Sequence, residues 1–338
     1  GNRTGLTKSA KNNFAVGSLT TTGDLAGFSS KGPAWDGRIL PDICAAGPGG
    51  TSHASPNLAG VYAQLVQAYQ VHNAGQIPNS GLIKAILMNT ADDMLNPGPD
   101  FKSGYGKINA RKAYNCIAQN HFLSGSVGQG GNNAHTLSVP SGVQEIRAMV
   151  YWTDYEATAG IPGRALVNDL DFRVLDPSNV QWQPWVLNPT PDSASLELWA
   201  VRATDTLNNV EQVTLTNPLA GTYSLLVDGS MVPQGPQEYF VVYEFIYDEL
   251  IVTYPNGAEK LVPNTTERLR WESQGDSNIS SSFDIAYSLD NGLNWTTIAN
   301  GLSSDSRYYD WMVPDTFSQQ ALIRVERGAI SASTDTSF

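Results

Sequence analysis

Gly50-Thr51-Ser52-His53-Ala54-Ser55-Pro56, running on from Asn57 to His72, is the stretch whose reading decides the fold. Small residues let the backbone turn tightly, and Pro56 suits the first turn of a helix, where its missing amide proton costs no bond. Leu58, Val61, Tyr62, Leu65, Val66 and Tyr69 recur at helical spacing and predict one buried face between Asn57 and His72. Ser52 then stands at the positive end of that helix, which carries roughly half a unit charge. Its amide is placed to help hold an oxyanion; read alone, the same serine is an N-cap.

The flanks add to this. Upstream stand Phe28-Ser29-Ser30-Lys31-Gly32-Pro33, then Asp36-Gly37-Arg38-Ile39-Leu40-Pro41-Asp42-Ile43, and further back Ala10-Lys11-Asn12-Asn13-Phe14-Ala15-Val16-Gly17. Downstream stand Leu82 to Ala91 and Gly104 to Ala110. In this order the words resemble the subtilisin-like serine proteases (subtilases, peptidase family S8). The resemblance implies a strand of a central parallel sheet at 10–17, a strand and loop at 28–43, and helices closing the catalytic domain at 82–91 and 104–110. It makes Ser52 the nucleophile and Asn2 the asparagine that completes the oxyanion hole; the other reading of Asn2 is a frayed terminal residue. That family orders its triad aspartate, histidine, serine, so the resemblance puts the first two upstream of Gly1. This chain departs from the family where Gly47 is followed almost at once by Gly50, in place of a longer strand-bearing segment.

The chain has 4 histidines. His53 adjoins Ser52 and leaves the helix in another direction, His72 ends the helix, and His121 and His135 fall in a linker and a surface strand. None is expected to serve as the base, so the chain by itself is expected to be nearly inert.

Composition narrows the class. A net charge of −12, without a basic cluster, excludes nucleic acid as a partner for want of phosphate neutralisation. No apolar run approaches the ~20 residues of a membrane helix. With 31 glycines and 19 prolines the chain reads as loop-rich, secreted and extracellular. Cys44 and Cys116 read as two packed thiols rather than a disulfide.

After Asn120 helical periodicity gives way to alternation, at 145–152, 211–215, 222–227 and 238–247, with glycine and proline turns between, as in an antiparallel sandwich. Trp152-Thr153-Asp154, Leu166 to Asp171, Asn208 to Glu211 and Gly221-Thr222-Tyr223 resemble the jelly-roll domain that follows the catalytic domain in some bacterial subtilases. Asp169 and Asp171 lie two apart on a strand and project from one face. With Asp154, Asn168 and Glu211 they form a candidate calcium set, calcium being a structural ion in the resembling domains; the other reading is turn caps and solvated acids. From about Leu250 a third unit opens as an immunoglobulin- or fibronectin-like sandwich. Within it Ser288, Asp290, Gly292 and Trp295 fit a single Asp-box turn, most simply a hairpin.

The expected organisation is multidomain: a partial α/β subtilisin-like domain at 1–120, a jelly-roll sandwich at 121–248 and an immunoglobulin/fibronectin-like sandwich at 249–338. The expected function is that of a secreted serine endopeptidase acting on a protein or peptide, completed by the upstream half of its catalytic domain. The alternative is an extracellular binding or adhesion protein on a degenerate subtilase scaffold.

Overall fold

The computed structural model describes residues 9–158, 163–275, 281–334 and 336–338. It opens with β1 (Val16–Leu19) and β2 (Ile43–Ala46), which pair in parallel with Val16 opposite Ile43 and Leu19 opposite Ala46. Three helices come next: α1 (Thr51–His72), α2 (Ser80–Asn89) and α3 (Ala110–Ala118). The strand expected at 10–17 begins only at Val16, because residues 11–13 form a turn held by side chains. Residues 104–109 are not helical. Gly104 and Gly106 have φ of 66° and 119°, and the segment runs beside β2, with Cys44 N–H donating to Gly106 O and Ile108 N–H to Cys44 O.

Helix α1 also differs from the expectation. It starts at Thr51, so Pro56 lies inside it rather than at its first position, and its N-cap is Gly50 with no side-chain cap bond. Ser52 is therefore not the cap. Only Ala54, Leu58 and Leu65 are fully buried, while Val61, Tyr62 and Tyr69 pack partly against the core. Helix α2 is the buried one, from Gly81 to Asn89, started by Asn79 Oδ1 accepting the Gly81 amide at 2.8 Å.

The next strands are β3 (Phe122–Val127), β4 (Asn132–Val139), β5 (Val143–Tyr151), β6 (Asp169–Leu175), β7 (Gln181–Trp182) and β8 (Trp185–Val186). After the short helix α4 (Ser193–Leu196) come β9 (Val201–Arg202), β10 (Val210–Thr216), β11 (Gly221–Met231) and β12 (Gln237–Tyr247). They form four-stranded sheets in the orders β10-β5-β12-β3 and β4-β11-β6-β7, while β8 and β9 make a separate ribbon. β11 is antiparallel to both its neighbours, as β12 is to β3. The alternating segments read from sequence fall on β5, β10, β11 and β12; burial alternates with period two along β11, whereas β10 and the end of β5 are buried on both faces.

The chain divides into two compact units: Gly1–Ser141 with Ile146–Phe245, and Gly142–Glu145 with Ile246–Phe338. In the first, one hydrophobic cluster joins Leu58, Leu65, Ile83 and Ile86 of the helices to Met149, Tyr151, Val210 and Val242 of the strands. Segments on either side of residue 120 thus share a core. The second unit contains β13 (Glu249–Tyr254), β14 (Thr266–Gln274), β15 (Phe283–Ser288), β16 (Thr296–Leu302), β17 (Tyr308–Met312), β18 (Leu322–Arg327) and β19 (Ile330–Ser333). Its sheets run β13-β14-β17 and β16-β15-β18-β19 around Trp271, Phe283, Ile285, Ile323 and Val325. Among the described residues no helix is long and apolar enough to cross a membrane. Cys44 and Cys116 are both free and buried; burial pushes the Cys44 thiol up to about 12, which makes it unreactive.

Candidate functional site

The turn from β2 into α1 occupies residues 47–50 and is built from glycine for steric reasons. A Cβ on Gly47 would stand 2.7 Å from both the Ala54 amide nitrogen and Ser18 Oγ. Ser18 Oγ donates to Gly47 O at 2.7 Å, Gly47 N–H donates to Leu19 O at 2.9 Å, and Asn57 Nδ2 donates to Ala46 O at 2.6 Å. The end of β1 thereby fixes the start of α1. Ser52 lies exposed in the first helical turn, where backbone amides have no intrahelical acceptor and face outward with the positive end of the dipole.

The four histidines stand apart from the Ser52 hydroxyl. The His53 ring lies over Gly49, where a Cβ would meet its Cε1 at 2.4 Å. His72 is the last residue of α1, roughly 30 Å along the axis at 1.5 Å per residue, with Nε2 3.3 Å from Tyr114 Oη. His121 stacks on Tyr243 with centroids 4.8 Å apart, and His135 Nε2 lies 2.8 Å from Tyr239 Oη. Burial pulls the pKa of both His121 and His135 down. Among the described residues no base is bonded to Ser52. Asn2 lies outside the described residues.

Of the five candidate calcium residues, Asp154 and Asn168 are taken up by other partners. The Asp154 carboxylate is taken up by Lys11 Nζ at 2.5 Å and by the amides of Val167 and Asn168 at 2.8 Å. The Asn168 side chain bonds Gln234 O and Gln237 Oε1. Asp169, Asp171 and Glu211 do come together, joined by Asp205, which the sequence pattern did not mark. Glu211 Oε2 accepts the Phe172 amide at 2.7 Å, Asp169 Oδ2 accepts from Arg164 at 3.0 Å, and Asp171 Oδ2 bonds Ser230 Oγ. Glu211 Oε1 and Asp169 Oδ1 are buried without a hydrogen-bond partner. Among the described residues, however, no group of three or more His, Cys, Asp or Glu side chains is placed to hold a metal ion.

Two buried lysines were not marked by the sequence pattern either. Lys84 Nζ, on α2, donates to Asn13 O at 2.6 Å and pairs with Asp42 Oδ1 at 3.0 Å, between the rings of Phe14 and Tyr151. Lys11 donates to Tyr155 O and Ala165 O as well as to Asp154. A charge inside an apolar run, as in Leu82-Ile83-Lys84-Ala85-Ile86, was the available signal.

A parallel strand pair, a glycine turn and a serine on the first turn of the next helix all lie within the first 72 residues. Residues 1–106 match the model of the subtilase family. Among curated proteins it is similar to two of Dictyostelium discoideum, the serine protease/ABC transporter B family proteins tagA (26% identical, over 64% of this chain) and tagB (24%, over 65%). The matches span 15% and 16% of those proteins' own lengths. Among solved structures it is similar to tripeptidyl peptidase 2, with 12% identity and a TM-score of 0.28 over 94% of this chain and 36% of that one. It is similar as well to fervidolysin from Fervidobacterium pennivorans, with 17% identity and a TM-score of 0.25 over 95% and 45%.

Proposed function

We propose that this chain is the serine-bearing part of a secreted subtilisin-like endopeptidase whose substrate is an extracellular protein or peptide. The observation that carries the reading is Ser52, exposed on the first turn of α1 inside the segment that matches the subtilase family. In the assembled site Ser52 Oγ attacks the scissile carbonyl and gives its proton to a histidine, which an aspartate orients. The Ser52 amide, at the positive end of α1, donates to the oxyanion, and Asn2 supplies a second donor. The histidine and aspartate belong to the upstream half of the catalytic domain. The outward face of α1, with Ala59, Gly60 and Ala63 exposed, offers that half small residues to pack against. In this proposal residues 1–120 belong to the catalytic domain, 121–248 form a jelly-roll domain, and 249–338 an immunoglobulin/fibronectin-like spacer.

A second reading, a binding protein on a degenerate subtilase scaffold, is favoured by the short 47–50 turn and by the absence of a base at Ser52 among the described residues. A fluorophosphonate probe separates the two. Co-expressed with the upstream half, the chain is expected to label at Ser52, and Ser52→Ala to abolish labelling without moving the melting temperature, because the hydroxyl is exposed. If the assembled pair stays unlabelled while binding its other half, the binding-protein reading replaces the protease.

A further inference from the structure

The sequence contains three Asn-Gly pairs, Asn256-Gly257, Asn291-Gly292 and Asn300-Gly301, and all fall in the second unit with the asparagine exposed. Such pairs are chemically labile because glycine has no Cβ to shield its amide nitrogen. The glycine nitrogen loses its proton and bonds to the asparagine Cγ, ammonia leaves with a proton, and a succinimide ring forms. Water then opens the ring to aspartate or isoaspartate. No other co-reactant is needed.

Attack requires the glycine N–H proton to be removed, so the group that accepts this N–H controls the rate. In all three pairs the acceptor is a side-chain oxygen. Gly257 donates to Glu259 Oε2 at 2.6 Å, Gly301 to Asp284 Oδ1 at 2.8 Å, and Gly292 to Ser288 Oγ at 2.8 Å. Two of these acceptors are carboxylates, whose hydrogen bonds are roughly twice as strong as neutral ones. Their negative charge also opposes formation of the amide anion. The Glu259 carboxyl is held below its usual range by the same backbone amides, those of Asn256 and Gly257 among them. The third acceptor is a neutral hydroxyl that also serves Asp290: Ser288 Oγ donates to Asp290 Oδ1 at 2.7 Å and accepts from the Asp290 amide at 3.3 Å. The Asp290 carboxylate is occupied in turn by Asn294.

We propose that Asn291 is the succinimide-forming modification site of the second unit, and that Glu259 and Asp284 guard Asn256 and Asn300 against the same chemistry. Opening to isoaspartate puts an extra backbone methylene and a new negative charge into the turn between β15 and β16, next to Asp290.

The test is to age the full chain in mildly alkaline buffer at physiological temperature and follow each asparagine by peptide-mapping mass spectrometry, with isoaspartyl methyltransferase as a second readout. Asn291 is expected to convert first. Glu259→Ala is expected to speed Asn256 alone, and Asp284→Ala to speed Asn300 alone, by about two- to tenfold, the scale set by one hydrogen bond. Glu259→Gln and Asp284→Asn keep an acceptor without its charge and should fall between. In denaturant the wild-type rates at the three sites should converge, which tests the guard without any variant. Conversion of Asn256 or Asn300 as fast as Asn291 in the folded chain would overturn the proposal, as would a rate order that denaturant leaves unchanged.

Discussion

Glu211 is a residue whose surroundings bend its chemistry far from the ordinary carboxylate. It is 1% exposed, and burial, then Asp205, then Asp171 and Asp169, push its carboxyl well above the usual range against the Phe172 amide bond that favours the charged form. Asp169 moves with it to about 6, raised by burial and held back by Arg164. Both groups bind protons more tightly in the folded chain than in the unfolded one. The stability they contribute is therefore complete below the ordinary carboxylate range and is lost as pH rises through the folded values, about 6 for Asp169 and well above the ordinary range for Glu211. The melting temperature of the first unit is expected to fall from mildly acid to mildly alkaline pH. Glu211→Gln, which keeps an oxygen for the Phe172 amide and needs no proton, should flatten that fall; equal slopes in melts of both proteins would show that another group sets it. If added calcium, and not the substitution, restores alkaline stability, the acids take a cation after all. The sequence flagged Asp169 and Asp171 as acids sharing a face, because strand alternation is local, and offered Glu211 beside them. It missed Asp205, whose loop reaches them only through the fold.

At the scale of elements, two lysines tie the turn at residues 11–13 to α2 and to the segment beyond β5. Lys84 joins α2 to that turn and to Asp42 at the entry to β2, whose other oxygen accepts the Ala15 amide at 2.6 Å. Lys11 joins the same turn to Asp154 beyond β5, and Asn12 bonds the Asp154 backbone in both directions. Lys84 and Asp42 are 3% and 8% exposed, so removing one partner strands a buried charge. Lys84→Met is expected to cost about 3–5 kcal/mol, measurable by denaturant unfolding, and Lys84→Met with Asp42→Asn should recover part of it. A loss below about 1 kcal/mol would place the pair with exposed ion pairs. The helix that the resemblance implied at 82–91 formed as α2, at Ser80–Asn89. Residues 104–109 misled, because the positive φ of Gly104 and Gly106 and the bonds to Cys44 override any local helical tendency.

Across the whole molecule the two units keep separate cores, one joining helices to sheets and one around Trp271. Trp271 is 1% exposed and stacks at a tilt on Phe283, with centroids 5.4 Å apart. Trp271→Ala is expected to cost about 3–5 kcal/mol through cavity formation. In calorimetry it should lower one transition and leave the other in place; a single transition moving as a whole would mean that the units unfold together. The sequence by itself determined the helix that carries Ser52, the resemblance of the first segment to the subtilases, the change from helical to alternating periodicity near residue 120, and the positions of β5, β10, β11 and β12. These features come from spacing and from residue types within a few positions of one another. Only the tertiary structure decided that Gly50 and not Ser52 caps α1, that Asp154 answers to Lys11, and that helices and first sheets share one core. Burial depends on contacts across the fold, and charge pairing on partners as far as 143 residues away in the chain, a separation that no local pattern encodes.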